Sequence, residues 1–166
     1  MNCRSLAVSV IGVLLSSCLV SADEPVKWLL GGWVEEVRKQ DRESERAPNS
    51  LHVEVADGAL RIVEGGEEGE DLRCRLDGIE TRYRHTKRRA AASYALKCKI
   101  ARQSVEVHGR FVTIPSGNPP VVFELQKKYQ LSKDGSLDVR DRLSAPIEGV
   151  MDMTLWDEKT RFRRTP

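Results

Sequence analysis

FELQKKYQLSKDGSLDVRDRL, residues 123–143, contains two runs in which apolar and polar side chains alternate. Phe123, Leu125, Tyr129 and Leu131 interleave with Glu124, Gln126, Lys128 and Gln130. Leu137, Val139 and Leu143 interleave with Ser136, Asp138, Arg140 and Arg142. A period of two marks a strand with one face in water and the other in a core. Between the runs, Lys133-Asp134-Gly135 fits a three-residue hairpin loop with Gly135 in the left-handed conformation. That loop pairs Leu131 with Leu137, Tyr129 with Val139, Lys127 with Asp141 and Leu125 with Leu143. The large apolar groups then share one face, which a slip of one residue would destroy.

Working outward, the same grammar recurs. Asp57-Gly58 is a two-residue hairpin turn that sets Val55 against Leu60, Val53 against Ile62 and Glu54 against Arg61. Asp77-Gly78 predicts a hairpin with Leu76 beside Ile79, Arg75 beside Glu80, Cys74 beside Thr81 and Leu72 beside Tyr83. It also places Arg73 opposite Arg82, a like-charge pair that costs stability. A turn at Arg102-Gln103 sets Ile100 against Val105, Cys98 against Val107 and Lys99 against Glu106, with Phe111 to Ile114 extending the second strand. Pro25 to Leu30 predicts a short helical turn and Trp33 to Val37 a first strand. Met151, Met153 and Leu155 predict a last strand, with Phe162 near a basic end. Arg38 to Pro48, the acidic Glu64 to Asp71, and Pro115 to Pro120 read as loops. With no amphipathic helix, internal repeat or domain linker, the fold class is all-β. It is a single antiparallel meander of about 8–10 strands, closed into a barrel or curled into a sandwich.

The amino terminus reads as a targeting segment. Arg4, the apolar run Leu6 to Leu15 and the small residues Val20-Ser21-Ala22 make residues 1–22 a secretory signal peptide, leaving 23–166 as one β-barrel-like domain. The run is too short to span a bilayer as a helix, which needs about 20 residues. Leu15-Ser16-Ser17-Cys18 also resembles a bacterial lipobox, in which Cys18 would carry a lipid anchor, so two processing routes stand. Removal of Arg4 leaves 26 basic against 25 acidic residues, a balance that implies no partner by itself.

Gly31-Gly32-Trp33 after a short helical turn resembles the GxW opening of lipocalins. Leu76-Asp77-Gly78, the strand Tyr94 to Ile100, and Leu131-Ser132-Lys133-Asp134-Gly135-Ser136-Leu137 are spaced as in exported bacterial domains of lipocalin-like design. The resemblance implies a barrel, and a fold does not carry a function with it.

Cys74 and Cys98 both point inward, and in an exported protein an even pair is expected to be bonded. A disulfide needs Cα atoms within about 7 Å. A full strand at Thr81 to His85 standing between them would hold them nearly 10 Å apart. Either that segment is short or the thiols stay free.

Two clusters carry the functional reading. Arg73, Arg75, Arg82, Arg84, Lys97 and Lys99 fall on wet faces; ten basic residues between Arg73 and Arg102 face only Asp77 and Glu80, a surface suited to anions or simply solvated. Lys127 and Asp141 oppose each other on the dry face, either fixing a polar group in a pocket or lying at a rim reached by water. The rim is the cheaper arrangement, since burying both ions costs several kcal/mol. His52 with Glu54 and Glu106 with His108 have i, i+2 spacing but sit among Arg61, Lys97 and Lys99, which argues against a metal. No Gly-x-Ser-x-Gly, phosphate loop or His-Glu-x-x-His occurs, and no cofactor is implied. Nucleic acid is disfavoured because the basic group lacks interleaved aromatics.

The sequence therefore predicts non-catalytic binding of a small apolar or amphiphilic ligand. The expected lining is Val53, Ile62, Leu96, Phe123, Leu125, Tyr129 and Val139, with Lys127 and Asp141 near the mouth. The alternative is an envelope interaction module that binds anionic lipid, glycan or protein through the basic face.

Overall fold

The computed structural model describes residues 24–37, 47–65, 69–87, 90–114, 119–147 and 150–166; the expected signal peptide and Cys18 lie outside them. A 3-10 turn, Glu24–Val26, is followed by ten strands. These are β1 (Gly31–Glu35), β2 (Ser50–Ala56), β3 (Ala59–Glu64), β4 (Asp71–Arg75), β5 (Thr81–Lys87), β6 (Ala90–Ala101), β7 (Ser104–Thr113), β8 (Val121–Leu131), β9 (Leu137–Ile147) and β10 (Val150–Arg164). They form one antiparallel sheet in the order β4-β3-β2-β1-β10-β9-β8-β7-β6-β5, a meander curled into a nearly closed barrel.

The β8–β9 hairpin has the register its alternation demands, with Leu131 opposite Leu137, Tyr129 opposite Val139, Lys127 opposite Asp141 and Leu125 opposite Leu143. Gly135 has φ +82°, and Ser132 N–H closes the loop onto Ser136 O at 2.9 Å. At the β2–β3 turn both Asp57 (φ 52°) and Gly58 (φ 72°) are left-handed, as the turn matching the twist of a hairpin requires. Val55–Leu60, Val53–Ile62 and Glu54–Arg61 pair as read from sequence, and so do Ile100–Val105, Cys98–Val107 and Lys99–Glu106 on β6–β7.

Three expectations are corrected. The first strand begins two residues earlier than Trp33. The last strand runs to Arg164 and takes in Phe162, which is buried rather than part of a basic tail. The third correction matters most: β4 and β5 form no ladder. They are the two edges of the sheet, so Arg73 does not face Arg82. It faces Arg61 on β3, with Asp71 between the two guanidinium groups.

The two edges still meet. The Cys74–Cys98 disulfide joins β4 to β6 with Cα atoms 5.6 Å apart. Thr81 to Lys87 is a full strand, yet its pairing with β6 starts at Thr81–Leu96, so Cys98 lies beyond its end and β4 reaches β6 directly. Farther along, side chains of β5 replace the missing ladder. Arg73 N–H donates to Tyr83 Oη at 3.1 Å, Tyr83 Oη donates to Asp71 O at 3.0 Å, and Arg75 N–H donates to Thr81 Oγ1 at 2.9 Å. The edge thus leaves these main-chain groups partnered.

One end of the barrel is plugged. Val26 in the 3-10 turn and Leu29 just after it are fully buried, and the Trp33 indole N–H donates to Leu29 O at 2.9 Å. Arg164 reaches back to Trp28 O and Leu30 O at 3.0 Å and lies 5.1 Å from the Trp33 ring centroid. The connections after β1, β3, β5, β7 and β9 leave from the opposite, loop end.

Gly109 lets β7 lie close against β6. It sits in the inward row between Leu96 and Leu125, where an added Cβ would lie 2.1 Å from Ala95 O. Gly109→Ala must push the β6 backbone away, and the expected loss is about 1–3 kcal/mol or more, measured by denaturant unfolding. Cys74→Ser is expected to cost about 2–4 kcal/mol against the oxidised wild type, and reductant should lower the wild type's melting temperature but not the variant's.

Candidate functional site

Inward rows of side chains stack from the plug to the loop end. The middle of the barrel is solid. Ile62, Leu96 and Tyr129 are 0% exposed, Val53 and Leu125 1%, and Val139 6%. A void large enough for water would register as accessible surface on these groups. The residues expected to line a deep cavity are therefore the packed core, with Phe123, half-buried, the exception.

At the loop end the packing thins. Tyr83, Tyr94, Phe111 and Phe123 are in register across β5, β6, β7 and β8. Their rings stack in a continuous strip with centroid separations of 5.0, 5.5 and 4.9 Å. All four are only half-buried. On β10 two register shifts break the ladder, and beside them Met153, Leu155 and Trp156 are exposed, as are Ile114 and Val122 near the β7–β8 connection. Trp156 lies in the inward row opposite Leu143, so part of this apolar surface faces the mouth.

Below the strip lies an unexpected ion cluster. Lys127 is 2% exposed, so the water-reached rim is not where its ammonium sits. Asp141 is its partner at 2.8 Å, as the hairpin register requires. Two further carboxylates cross the barrel to it: Glu64 Oε1 at 2.8 Å and Glu70 Oε2 at 2.9 Å. The Glu64 amide donates to Glu70 O at 2.8 Å, which closes the acidic β3–β4 connection and holds both side chains on the same target. The three carboxylates are 21–24% exposed. They form the solvent side of a cluster whose cation is buried.

Burial raises the carboxyl pKa of Glu64 and of Asp141, and the attraction of Lys127 only partly offsets it. Burial works against the Lys127 ammonium too. There Tyr129 and the three carboxylates prevail, and its pKa rises well above the usual lysine value. Tyr129 is fully buried, its hydroxyl and Asp141 Oδ1 have no hydrogen-bond partner among the described residues, and its titration is coupled to all four charges. The acidic loop was legible in the sequence. The inward parity of Glu64, after Leu60 and Ile62, was the signal that it turns into the barrel.

Half of the basic face is self-neutralised. Arg73 pairs with Asp71 at 2.9 Å, Arg75 with Asp77 at 2.5 Å and Arg82 with Glu80 at 2.7 Å. Burial opposes the Asp71 carboxylate, yet hydrogen bonds from Arg61 and Arg73 hold its pKa down at about 2. Arg84, Lys97 and Lys99 point into solvent. His52 and Glu54 lie on β2, Glu106 and His108 on β7, strands that are not neighbours. A groove of about 1050 Å³ runs outside the barrel, lined by Glu36, Lys128, Arg140 and Lys159 among others. Its Lys128 and Arg140 already pair with Glu106 and Asp157.

No protein-family model and no curated protein matches the chain. Among solved structures it is similar to a secretary abundant heat soluble (SAHS) protein from Ramazzottius varieornatus. Identity is 10%, 84% of this chain and 96% of that one are covered, and the TM-score is 0.51. A "REP1-NXSQ fatty acid transporter" is similar at 13% identity over 83% of this chain and 96% of that one, with a TM-score of 0.44. The likeness to the SAHS protein supports a lipocalin-like barrel and concerns the fold alone. Among the described residues no helix is long and apolar enough to cross a membrane.

The cluster yields opposite outcomes for its two halves. Lys127→Met leaves three carboxylates around an apolar group and should cost about 3–5 kcal/mol. Glu64→Gln removes one of three like charges and should leave neutral-pH stability equal or higher. Because the folded pKa values of Glu64 and Asp141 lie above their ordinary values, their stabilisation is present at acidic pH and lost as pH rises through the raised values. Asp71 acts the other way, its contribution vanishing as pH falls toward about 2. Melting temperature should therefore decline as pH rises above the ordinary carboxyl range, and less steeply in Glu64→Gln.

Proposed function

We propose that the protein is a non-catalytic binder of a small apolar or amphiphilic molecule, held at the loop end of the barrel rather than in its centre. The observation that carries this reading is the inward aromatic strip Tyr83-Tyr94-Phe111-Phe123, four stacked rings left half-buried above a packed core. Half-wet aromatic surface over a few convergent polar groups is how small-molecule sites are built. Here Lys127, Asp141 and Tyr129 belong to the floor and Phe123 to the wall. The protein acts outside the cytoplasm, periplasmic or extracellular, with a disulfide suited to that compartment. It is free after cleavage behind Ala22 or anchored through Cys18.

The alternative, an outer basic face that binds an anionic lipid, glycan or protein, is the weaker reading. Three of its six residues are already paired with neighbouring carboxylates, which lowers what they offer a partner.

The uncharged probe N-phenyl-1-naphthylamine tests the mouth. Its fluorescence should rise on binding, and Tyr94→Ala or Phe111→Ala should weaken that binding about tenfold, the equivalent of about 1.4 kcal/mol of lost ring contact. Val53→Ala, in the packed core, should lower stability but leave the probe's affinity unchanged. Absence of binding, or affinity indifferent to both ring deletions, overturns the proposal.

A further inference from the structure

The ion cluster bears on which amphiphile the mouth takes. Lys127 has three ammonium hydrogens, and carboxylates lie 2.8, 2.9 and 2.8 Å from its nitrogen. An incoming anion would have to displace one of them. Three carboxylates against one ammonium give a formal charge of −2. If one of the three holds a proton the cluster is still anionic.

A second observation points to a missing donor. The carboxylate oxygens Glu70 Oε2 and Asp141 Oδ1 and the Tyr129 hydroxyl are buried and have no hydrogen-bond partner among the described residues, although the Trp156 indole lies close enough to Asp141 to act on its titration. An acceptor left without a donor in a low-dielectric site costs about 1–3 kcal/mol. The Tyr129 hydroxyl is aimed into the cluster, close enough to couple to Glu64, Glu70, Lys127 and Asp141. The third feature is the wall. Aromatic faces attract cations and repel nothing in an alkyl chain, and the strip of four rings lies above the carboxylates.

We infer that Glu64, Glu70 and Asp141, with Tyr129 beneath them, form the polar subsite of the mouth, and that it selects an amphiphile with a primary ammonium head over one with a carboxylate head. An ammonium supplies hydrogens to the unpartnered carboxylate oxygens Glu70 Oε2 and Asp141 Oδ1, and neutralises charge that Lys127 leaves over. A carboxylate head would meet three others with the cluster's only lysine already engaged. This inference rests on the proposed binding at the mouth and adds the head-group chemistry to it.

Three probes of equal chain length separate the two claims. Dodecylammonium, dodecanol and dodecanoate are titrated into the oxidised protein below their micelle concentrations at neutral pH, followed by tryptophan fluorescence and calorimetry. Dodecylammonium should bind at least tenfold more tightly than dodecanoate, with dodecanol between them. Glu64→Gln and Asp141→Asn, each close in shape to the wild type, should reduce dodecylammonium affinity by a larger factor than dodecanol affinity, and an equal loss for both probes overturns the head-group inference. Near-UV circular dichroism shows in the same sample that each variant is folded. Equal binding of all three probes, or a preference for dodecanoate, overturns the head-group inference and leaves mouth binding standing. Binding of none of them overturns both.

Discussion

A meander has two edges, and a barrel exists only if they are brought together. In this chain no hydrogen-bond ladder does that. The edge β4 is tied to β6 by one covalent bond, Cys74–Cys98, made past the end of β5, and to the edge β5 by the hydroxyls of Tyr83 and Thr81 standing in for main-chain partners. The rest follows from this seam. It sets the curvature that lets β3 and β4 look across at β8 and β9, and so brings Glu64 and Glu70 onto Lys127. It also orients Tyr83 so that its ring starts the aromatic strip while its hydroxyl holds β4. One side chain thus serves closure and site together, and loss of the seam would remove both.

Much of the fold was legible because its signals are local. Alternation and Asp-Gly turns act over a few residues, and the β2–β3, β6–β7 and β8–β9 registers follow from them without error. Asp77-Gly78 gave the same signal and misled. The chain does turn there, with Gly78 at φ +76°, yet the strands on either side diverge. The like-charge clash of Arg73 with Arg82 was the physical warning, and the structure relieves it by giving Arg73 the carboxylate of Asp71, which Arg61 shares. Two strands leaving one tight turn need not pair when the first already pairs on its other side and a disulfide draws it elsewhere.

The candidate site was half legible for the same reason. Lys127 opposite Asp141 is a neighbour relation set by one hairpin. Glu64 is 63 residues from Lys127 in sequence, and no local rule connects them. What sequence reasoning undervalued was parity: Glu64 continues the inward row of Leu60 and Ile62. An inward acid at the end of a strand, set against an inward lysine elsewhere, amounts to a prediction of contact, because each ion is too costly to bury without the other.

The two ends of the barrel solve opposite problems. At the plugged end, Trp33, Leu29 and Arg164 satisfy apolar and polar groups together, and little is left over for a ligand. At the loop end apolar rings stay wet and a surplus of carboxylate surrounds one lysine. Stability alone would have been better served by an apolar residue at position 127 and none of the three acids, since a buried ion network seldom outperforms good packing. A stacked aromatic wall above an unbalanced charge cluster is poor core construction and good recognition chemistry. The packed layer of Val105, Tyr129 and Val139, one row beneath Lys127, keeps such recognition shallow. A ligand there would keep much of its chain in contact with the rim, where Met153, Leu155 and Trp156 lie exposed. Affinity would then depend on how well the head matches the cluster more than on how much of the chain is enclosed.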